Sequence, residues 1–356
     1  MRSLTMRERI LAVVHGRPLD RVPFVIYDAM LPMREVWDAI GRDQIGLMRW
    51  SQVHREDHPH CRFVREDYRV GDTRWQRNTL HTPKGSIYEE RAFEPLYDSS
   101  AIRKHFIEKP ADYEVFWSYL DDSILIEDFD RFHRDQADLG DDGTPLVAVE
   151  RTPYQHLWIL WVGLDNLSNH FADCPDHVMR TIALLDARER RLMDIAARSP
   201  ASFIDFPDNI IAPAIGPRRF REYCVPYYDD LAERLAERDA VVFAHMDGDL
   251  KPLWQLIAAS RVGGIDSLSP TPDNDTSVAD AARLWPDKRY FVNFPSSVHL
   301  RPYEGVRAEA EAILGCRRPH QPLADSGQRK RALVRLAHQL PDHPRCHSGV
   351  WPAVRV

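Results

Sequence analysis

Short apolar segments of strand length alternate with segments of helical spacing from Pro145 to Leu314. The strands predicted in this region are Leu146–Val149, Ser202–Phe206, Ala240–Ala244, Gly264–Leu268 and Tyr290–Asn293. This alternation is typical of βαβ units, in which helices cover a parallel sheet. A further strand is predicted at Phe24–Asp28, and 356 residues suffice for one large barrel. The sequence therefore predicts a (β/α)8 TIM barrel rather than an open doubly wound sheet, and no GxGxxG or Walker loop follows any predicted strand.

Polar residues gather at the carboxyl ends of the predicted strands, where the loops of a barrel form its mouth. They are Asp28, Glu150, Asp208, His245, Asp266 and Asn293. The richest segment is Ala240–Leu253, in which an apolar strand leads to His245, Asp247 and Asp249 around Gly248. An imidazole and a carboxylate at a strand end are typical of a catalytic or metal-binding site. The alternative is that His245 is a satisfied histidine near a turn, while Asp247 and Asp249 cap the next helix.

Composition limits the class of protein. Apolar residues make up 44% of the chain and charged residues 28%, which is typical of a globular protein. No run of about 18 apolar residues and no signal-peptide pattern is present, so we expect a cytoplasmic protein without membrane association. The five cysteines are scattered without a CxxC pair, which argues against a disulfide framework and a local zinc knuckle. A net charge of −7 gives no reason to expect nucleic-acid binding.

A β-hairpin insertion is predicted near the N-terminus of the barrel, over residues 61–93. Apolar and polar residues alternate there around two turn signals, Gly71-Asp72 and Thr82-Pro83-Lys84-Gly85. Residues 98–140 are acidic and aromatic, and they predict one or two helices. We therefore expect a barrel over residues 1–315 that carries this insertion.

Several segments resemble the uroporphyrinogen decarboxylase superfamily, in the same order along residues 5–314. They are MRERILAVVHGRPLDRVPF, Thr82-Pro83-Lys84-Gly85, Phe206-Pro207-Asp208-Asn209, Gly216-Pro217-Arg218-Arg219-Phe220 and His245-Met246-Asp247-Gly248-Asp249-Leu250. The superfamily includes decarboxylases and cobamide-dependent methyltransferases that act on small methyl donors or on thiols. The resemblance implies a (β/α)8 barrel whose site lies at the carboxyl ends of the strands.

The resemblance leaves two chemistries open. The decarboxylase carries arginines in a segment close to Met-Arg-Gln-Ala-Gly-Arg after its first strand, where they hold the carboxylates of the porphyrinogen. The matching stretch here runs from Tyr27 to Glu35 and lacks those arginines, while Arg34 and Arg42 fit a solvated helix face. A substrate with eight carboxylates needs several cationic partners. A uroporphyrinogen decarboxylase of tetrapyrrole biosynthesis is therefore the alternative, and a methyltransferase acting on a small O-, N- or S-methyl donor is preferred.

Methyltransferases of this superfamily commonly bind zinc through a His-x-Cys pair and a later cysteine. Here His245-x-Asp247 stands in that place and no cysteine stands at the later position, so a zinc site is compatible with this sequence only through oxygen ligands, with Glu150 or Asp208 as the third. His245, Asp247 and Asp208 are the predicted catalytic residues, as metal ligands or as acid and base groups. The corrinoid is expected on a separate partner protein, since no Asp-x-His-x-x-Gly motif is present, and a homodimer is consistent with the superfamily.

Substrate contacts are also predicted at the mouth of the barrel. The residues proposed for them are Asp28, Glu150, Tyr154, Asp266 and Asn293. For the aromatic helix around Tyr154 a packed core is the preferred interpretation, whereas Asp266 and Asn293 equally fit turn and capping roles.

Residues 316–356 do not continue the barrel pattern. They contain eight Lys or Arg against two Asp, and only Lys330–Leu340 has helical spacing. No segment there resembles a buried strand, so the eighth strand is predicted to be missing or replaced by a basic, low-order tail. The tail is either a genuine extension for a partner or the product of a reading-frame shift near residue 315. We prefer the frame shift, because composition and charge change together there. Such a tail also leaves open a catalytically inactive barrel that binds a small ligand.

Overall fold

The computed structural model describes residues 3–30, 37–38, 40–93, 100–315 and 332–335, with the backbone alone for Met30 and 332–335. The chain forms two compact units. The barrel unit comprises Met1–Val53, Phe129–Val149 and Ala196–Leu340. The described residues of the second unit lie within His54–Asp128 and Glu150–Ile195. Among the described residues, no helix is both long and apolar enough to cross a membrane. The predicted helix face around Arg34 lies outside the described residues.

The barrel unit contains a closed sheet of eight parallel strands. In chain order, the first to eighth barrel strands are Phe24–Tyr27, Ile45–Ser51, Gly143–Ala148, Phe203–Phe206, Val241–His245, Gly264–Leu268, Arg289–Asn293 and Ala332–Arg335. Consecutive strands are neighbours, and the first strand also pairs with the eighth. The predicted (β/α)8 barrel is confirmed.

The second barrel strand, Ile45–Ser51, is absent from the sequence prediction. Its first four residues are all buried, so the strand lacks the alternation of apolar and polar residues that marks a half-buried strand. It pairs with both the first and the third barrel strands. The order of the barrel therefore depends on a segment that periodicity alone does not reveal.

The eighth position of the barrel is taken by a short segment of the basic tail, which agrees with the predicted replacement of the eighth strand. Ala332–Arg335 pairs in parallel with Tyr290–Asn293, and Val334 also lies opposite Phe24. These residues fall inside Lys330–Leu340, for which helical spacing predicts a helix. The edges of the first and seventh strands present N–H and C=O groups that must be paired, and this outweighs a weak helical preference. The rest of the tail lies outside the described residues, so the frame-shift hypothesis stays a prediction.

Truncation after Gly315 tests the contribution of the eighth strand. We expect the truncated protein to melt at least about 5 °C below the full chain, because both edges of the barrel sheet lose their partner. Differential scanning calorimetry measures the change, and a chain ending at Pro341 is the control because it keeps Ala332–Arg335. Equal melting temperatures for all three proteins would show that this strand does not stabilise the barrel.

An apolar layer fills the lower half of the barrel. The inward side chains that form it are Val25, Met48, Leu146, Phe203, Phe243 and Phe291. The helix Met6–Val14 adds Ile10, Val13 and Val14 to the same cluster. The sixth strand contributes Gly264, where a Cβ atom would lie 2.1 Å from the Phe243 ring. Each large side chain buried in this layer stabilises the fold by about 1.5–3 kcal/mol, so the layer forms a rigid floor for the residues above it.

The helices of the barrel unit follow most of its strands. They are Met6–Val14, Asp130–Leu139, Ala212–Tyr223, Val225–Arg234, Trp254–Ala259, Val278–Leu284 and Tyr303–Gly315, with 3₁₀ turns at Asp28–Met30, Lys251–Leu253 and Ser296–Leu300. The segment between the fourth and fifth strands forms two consecutive helices, and the first of them bends at Gly216, whose φ is 64°. Proline at position 217 fixes this bend because it cannot donate the hydrogen bond of a helix interior.

The second unit is built on a four-stranded antiparallel sheet. Its strands, in spatial order, are Arg62–Val70, Thr73–Thr82, Gly85–Phe93 and Ser100–Lys104. The first three form the two predicted hairpins, and the fourth extends the predicted insertion. A separate two-stranded sheet pairs His54–Asp57 with Ile124–Glu127. The helices are Pro110–Asp121, Pro153–His156, Leu164–Asp173 and most of Pro175–Arg198, with a π-helix at Leu157–Trp161.

Candidate active site at the carboxyl ends of the barrel strands

A polar layer lies directly above the apolar floor of the barrel. Each of its members follows a floor residue by two positions, and residues i and i+2 of a strand share a face. The polar residues are Tyr27 after Val25, Asp205 after Phe203, His245 after Phe243, Asp266 after Gly264 and Asn293 after Phe291. The strands therefore change from apolar to polar side chains toward their carboxyl ends, where barrel enzymes hold their catalytic groups.

Asp205, His245 and Asp266 form a compact buried group at the centre of this layer. One ligand-type atom from each residue lies within 4.8 Å of the others. Nδ1 of His245 is 3.0 Å from Oδ2 of Asp266, and the strand register places these two residues directly opposite each other. We call these three residues the DHD cluster.

Asp266 is the hydrogen-bond acceptor of the DHD cluster. Its Oδ2 accepts from the Tyr27 hydroxyl at 2.7 Å and from the Ser267 hydroxyl at 3.2 Å, in addition to His245. Ser267 has a φ of 60°, and the register with the seventh strand shifts between Ile265 and Leu268. A bulge of this kind re-aims a side chain, and left-handed backbone at a non-glycine residue costs about 1–2 kcal/mol. Such strain is typical of functional sites.

Asp247 lies in the loop after the fifth strand. Its Oδ2 is 3.4 Å from Nε2 of His245 and accepts a hydrogen bond from Asn209 at 3.2 Å. Gly248 follows, and a Cβ atom there would lie 2.0 Å from the side chain of Ile211, so only glycine allows this approach. The side chain of Asp247 is 28% exposed, whereas that of Asp266 is fully buried. Asp247 therefore marks the open side of the cluster.

The environment of His245 favours its charged form. Burial alone would lower the pKa of His245, but hydrogen bonds and charge from Asp247 and Asp266 outweigh burial and raise the pKa to about 10. Burial would raise the pKa of Asp247, yet contact with His245 holds that pKa below its usual range. In the absence of a metal, we therefore expect His245 to be an imidazolium at neutral pH, with Nδ1–H directed at Asp266 and Nε2–H toward Asp247.

Two aspartates near the end of the fourth barrel strand, Asp205 and Asp208, have different surroundings. Asp208, a predicted catalytic residue, is buried in the loop after the strand, and its Oδ2 accepts a hydrogen bond from Tyr228 at 2.6 Å. Asp205 is not one of the predicted site residues. It nevertheless belongs to the DHD cluster, whereas Asp208 does not. Strand alternation contains the signal, because Phe203 and Asp205 must share the inward face.

Asp28 and Asn293 have local partners at the same end of the barrel. Asp28 forms an ion pair with Arg49, which also binds Asp138 at 2.7 Å. Asn293 donates to the Ser269 hydroxyl at 3.0 Å and to the Ser267 carbonyl at 3.3 Å. Asn293 thus supports the bulged segment that carries Asp266. Substrate contact by either residue stays a prediction.

Glu150 and Tyr154 belong to the second unit. Glu150 lies 3.5 Å from Arg188 and 3.6 Å from Nδ1 of His156. Burial would raise the pKa of Glu150, but the charges of His156 and Arg188 lower it. Tyr154 is buried, with its ring 6.2 Å from that of Phe171, which agrees with the packed-core alternative.

The DHD cluster also fits a divalent cation. One imidazole and two carboxylates are a donor set that zinc and related metals accept. Of the predicted metal pair, His245 belongs to this group and Asp247 does not. A bound metal would act as a Lewis acid on the leaving atom of a substrate. Ligation requires neutral His245, so metal binding and the imidazolium are alternative states, and metal affinity should rise with pH.

Tyr27→Phe tests the hydrogen bond that supports Asp266. We expect the variant to lose about 1–2 kcal/mol of stability, because a buried carboxylate loses one of its donors. Urea unfolding measures the loss. Tyr290→Phe is the matched control, since its hydroxyl is equally buried and donates only to backbone carbonyls of Ala281 and Trp285. If the pKa of His245 changes in Tyr27→Phe but not in Tyr290→Phe, the Tyr27 hydroxyl supports the DHD cluster directly. If neither variant changes this pKa, the Tyr27 hydroxyl contributes only to packing.

A closed parallel barrel with ionisable groups above an apolar floor defines the class of barrel enzymes that react at the carboxyl ends of their strands. The sequence model of the family described as Uroporphyrinogen decarboxylase (URO-D) matches residues 142–341, more than half of the chain. The chain therefore belongs to the URO-D family. The match includes all three residues of the DHD cluster and Asp247.

A solved structure of a methyltransferase from Methanosarcina mazei has a similar fold, with a TM-score of 0.53, 12% sequence identity and 95% of each chain covered. No curated protein sequence matches the chain. The family and the shared fold support an enzyme of the URO-D superfamily.

Proposed function

We propose that this barrel transfers a methyl group from a small O-, N- or S-methyl donor to the corrinoid of a separate protein. The observation that carries the proposal is the position of the buried His245 ring between Asp266 and Asp247, which raises the pKa of His245. When a methyl group leaves oxygen, nitrogen or sulfur, the leaving atom must gain a proton or a Lewis acid. His245 supplies the proton in the metal-free protein.

The proposed step uses four residues of the barrel unit. The bond from the methyl carbon to the leaving atom breaks, the methyl carbon bonds to the acceptor nucleophile, and the leaving atom takes the proton from Nε2 of His245. Asp266 keeps its bond to Nδ1–H and orients the ring. Asp205 completes the buried cluster beside the His245 ring. Asp247, the most exposed of the group, returns a proton from solvent to Nε2.

The charges of the site favour methyl transfer over porphyrinogen decarboxylation. In the described part of the polar layer, the ionisable groups are two carboxylates, one imidazole and the Tyr27 phenol. Arg49, at the end of the second strand, is already paired with Asp28 and Asp138. A porphyrinogen with eight carboxylates would meet repulsion from Asp205 and Asp266. Decarboxylation remains the second candidate because the URO-D family includes it.

An acceptor assay distinguishes the candidates. Methylated aromatic ethers, methylamines and methyl sulfides are each incubated with the protein and free cob(I)alamin, and loss of the Co(I) absorbance reports methyl transfer. Uroporphyrinogen is incubated in parallel, and its products are analysed for lost carboxylates. Zinc content is measured on the same samples.

We expect transfer from at least one donor class by the parent and by His133→Gln, whose side chain is exposed, and transfer at least about 100-fold slower by His245→Gln. Carboxylate loss from uroporphyrinogen without methyl transfer would establish the second candidate. Inactivity toward all donors by a folded parent, with and without zinc, would contradict the proposal and favour an inactive ligand-binding barrel.

A further inference from the structure

The inward side chains above the apolar floor differ from one side of the barrel to the other. The fourth, fifth and sixth barrel strands carry the DHD cluster there. The second strand carries Trp50, two positions after the floor residue Met48. The third strand carries Ala148, two positions after the floor residue Leu146, and residues i and i+2 of a strand share a face. One side of the mouth is therefore ionisable, and the other side is apolar.

Trp50 forms an aromatic wall on the apolar side. Its ring lies 5.3 Å from the ring of Tyr27, at an interplanar angle of 40°. The Trp50 side chain packs against the apolar floor, yet it is only partly buried. The Tyr27 hydroxyl donates a hydrogen bond to Asp266 at 2.7 Å. The aromatic wall therefore reaches the DHD cluster through a single side chain.

Ala148 leaves space beside this wall. The third barrel strand lies between the strand that carries Trp50 and the strand that carries Asp205. The strand register sets Ala148 directly beside Asp205. Ala148 is partly exposed, although the five residues before it on the strand are all buried. Its small side chain therefore leaves an opening between the aromatic wall and the DHD cluster.

We propose that the methyl donor is an aryl methyl ether, whose ring lies against Trp50 beside Ala148 and whose oxygen lies at the DHD cluster. This inference rests on the proposed methyl transfer and names its substrate class. Ligand sites combine apolar and aromatic walls with a few polar groups that fix orientation, and the two sides of this mouth supply both. Aromatic rings attract one another at centroid distances of about 4.5–7 Å, so the wall favours a donor that carries a ring.

The chemistry of the leaving atom selects an ether. In the proposed reaction, the DHD cluster assists departure of the leaving atom with a proton or a Lewis acid. A methyl group on a positively charged nitrogen or sulfur leaves a neutral molecule behind, so that donor gains nothing from this assistance. The oxygen of a neutral ether departs as an anion and requires it. Methanol has the same requirement but offers no ring to Trp50.

The atoms and electrons of the step balance with the corrinoid as the second reactant. The bond between the methyl carbon and the ether oxygen breaks, and the oxygen keeps both electrons. The methyl carbon bonds to the Co(I) centre, which supplies the electron pair of the new bond. The phenolate oxygen takes one proton from His245 and leaves as a phenol, and solvent returns the proton through Asp247.

Binding and methyl transfer are measured separately with the full chain. Isothermal titration calorimetry measures binding of anisole. Loss of the Co(I) absorbance of free cob(I)alamin measures transfer from anisole, methanol and tetramethylammonium. We expect anisole to bind, and we expect its kcat/KM to exceed that of methanol at least about tenfold, because the ring buries apolar surface against the wall.

Two substitutions on the apolar side test the position of the ring. Trp50→Leu should weaken anisole binding at least about fivefold, because leucine cannot form the aromatic contact. Ala148→Leu should weaken it at least about tenfold, because the larger side chain occupies the space of the ring. In both variants KM for anisole should rise by a larger factor than kcat falls, since the ring contact is made before the chemical step.

Trp75→Leu is the matched control. Trp75 is a partly buried tryptophan of the second unit, with its ring 6.2 Å from that of Tyr68. Its replacement should leave anisole binding unchanged, and melting temperatures check that all three variants fold.

The outcomes separate this inference from the proposed function. Transfer from methanol or tetramethylammonium without anisole binding would overturn the inference and leave methyl transfer standing. Anisole binding that depends on Trp50 and Ala148, without transfer from any donor, would support the ligand class and contradict methyl transfer. Anisole binding that neither substitution weakens would place the ring elsewhere and overturn the inference.

Discussion

Replacing His245 by Gln should lower kcat for methyl transfer by a factor of about 10²–10⁴, the contribution typical of a positioned proton donor. Gln keeps a similar volume and can donate to Asp266 but cannot deliver a proton. We expect KM to change less than kcat, because the proton moves only as the leaving group departs. Stopped-flow measurement of transfer to free cob(I)alamin gives both constants, and His133→Gln is the control. An unchanged kcat would remove His245 from the reaction.

The same variant should change how stability depends on pH. The pKa of His245 is raised to about 10 by Asp247 and Asp266 despite burial, whereas an unfolded histidine titrates near about 6.5. Protonation of His245 therefore adds stability that is complete below about pH 6.5 and is lost as the pH rises to about 10. The difference in melting temperature between the parent and His245→Gln should narrow over this window. A constant difference would contradict the raised pKa.

Asp266→Asn should be the most destabilising single change in the barrel unit, at about 3–5 kcal/mol, because it removes one partner of a buried ion pair. The amide oxygen still accepts from Tyr27, but it no longer balances the imidazolium. The pKa of His245 should fall, and activity that depends on its proton should fall with it. Urea unfolding and the pH profile of kcat measure the two effects.

Asp186→Asn is the matched control for this loss. Asp186 pairs with Arg190 on the surface of a helix, and such pairs contribute about 0.3–0.5 kcal/mol. A similar small effect for Asp266→Asn would mean that the buried pair is not ionised. If the Asp266→Asn protein is destabilised but keeps its activity, Asp266 stabilises the fold and does not take part in the proposed reaction.

The barrel is largely predictable from the sequence because strands such as Val241–His245 and Gly264–Leu268 are short apolar runs between clear helices. The exceptions have physical reasons. Ile45–Ser51 is buried without alternation, and Ala332–Arg335 forms a strand because two open edges require pairing. Between residues 98 and 140 the two helices fit the prediction, but Ile124–Glu127 becomes a strand through pairing with His54–Asp57. Long-range pairing of this kind leaves no local signal.

The candidate site is predictable in part. His245, Asp247 and Asp266 were recognised from their positions at strand ends, and the structure brings them together. The sequence predicts Asp208 as the site residue of this region, whereas the structure has Asp205 in the cluster, on the same inward face as Phe203. Tyr27 gave no signal beyond its place at the end of the first strand, because its hydrogen bond to Asp266 joins residues far apart in the chain. The sequence thus predicts most of the ionisable residues of the site, whereas their hydrogen-bond partners can be identified only from the folded structure.

The central claim is that His245 is a buried imidazolium held by Asp266 and Asp247 in the metal-free protein. Nitrogen-15 NMR of histidine-labelled protein tests it, with the His245 signals identified by their absence in His245→Gln. We expect both ring nitrogens to remain protonated at pH 8 and to titrate near a pKa of about 10. A ring that is already neutral at pH 7 without a metal would contradict the account.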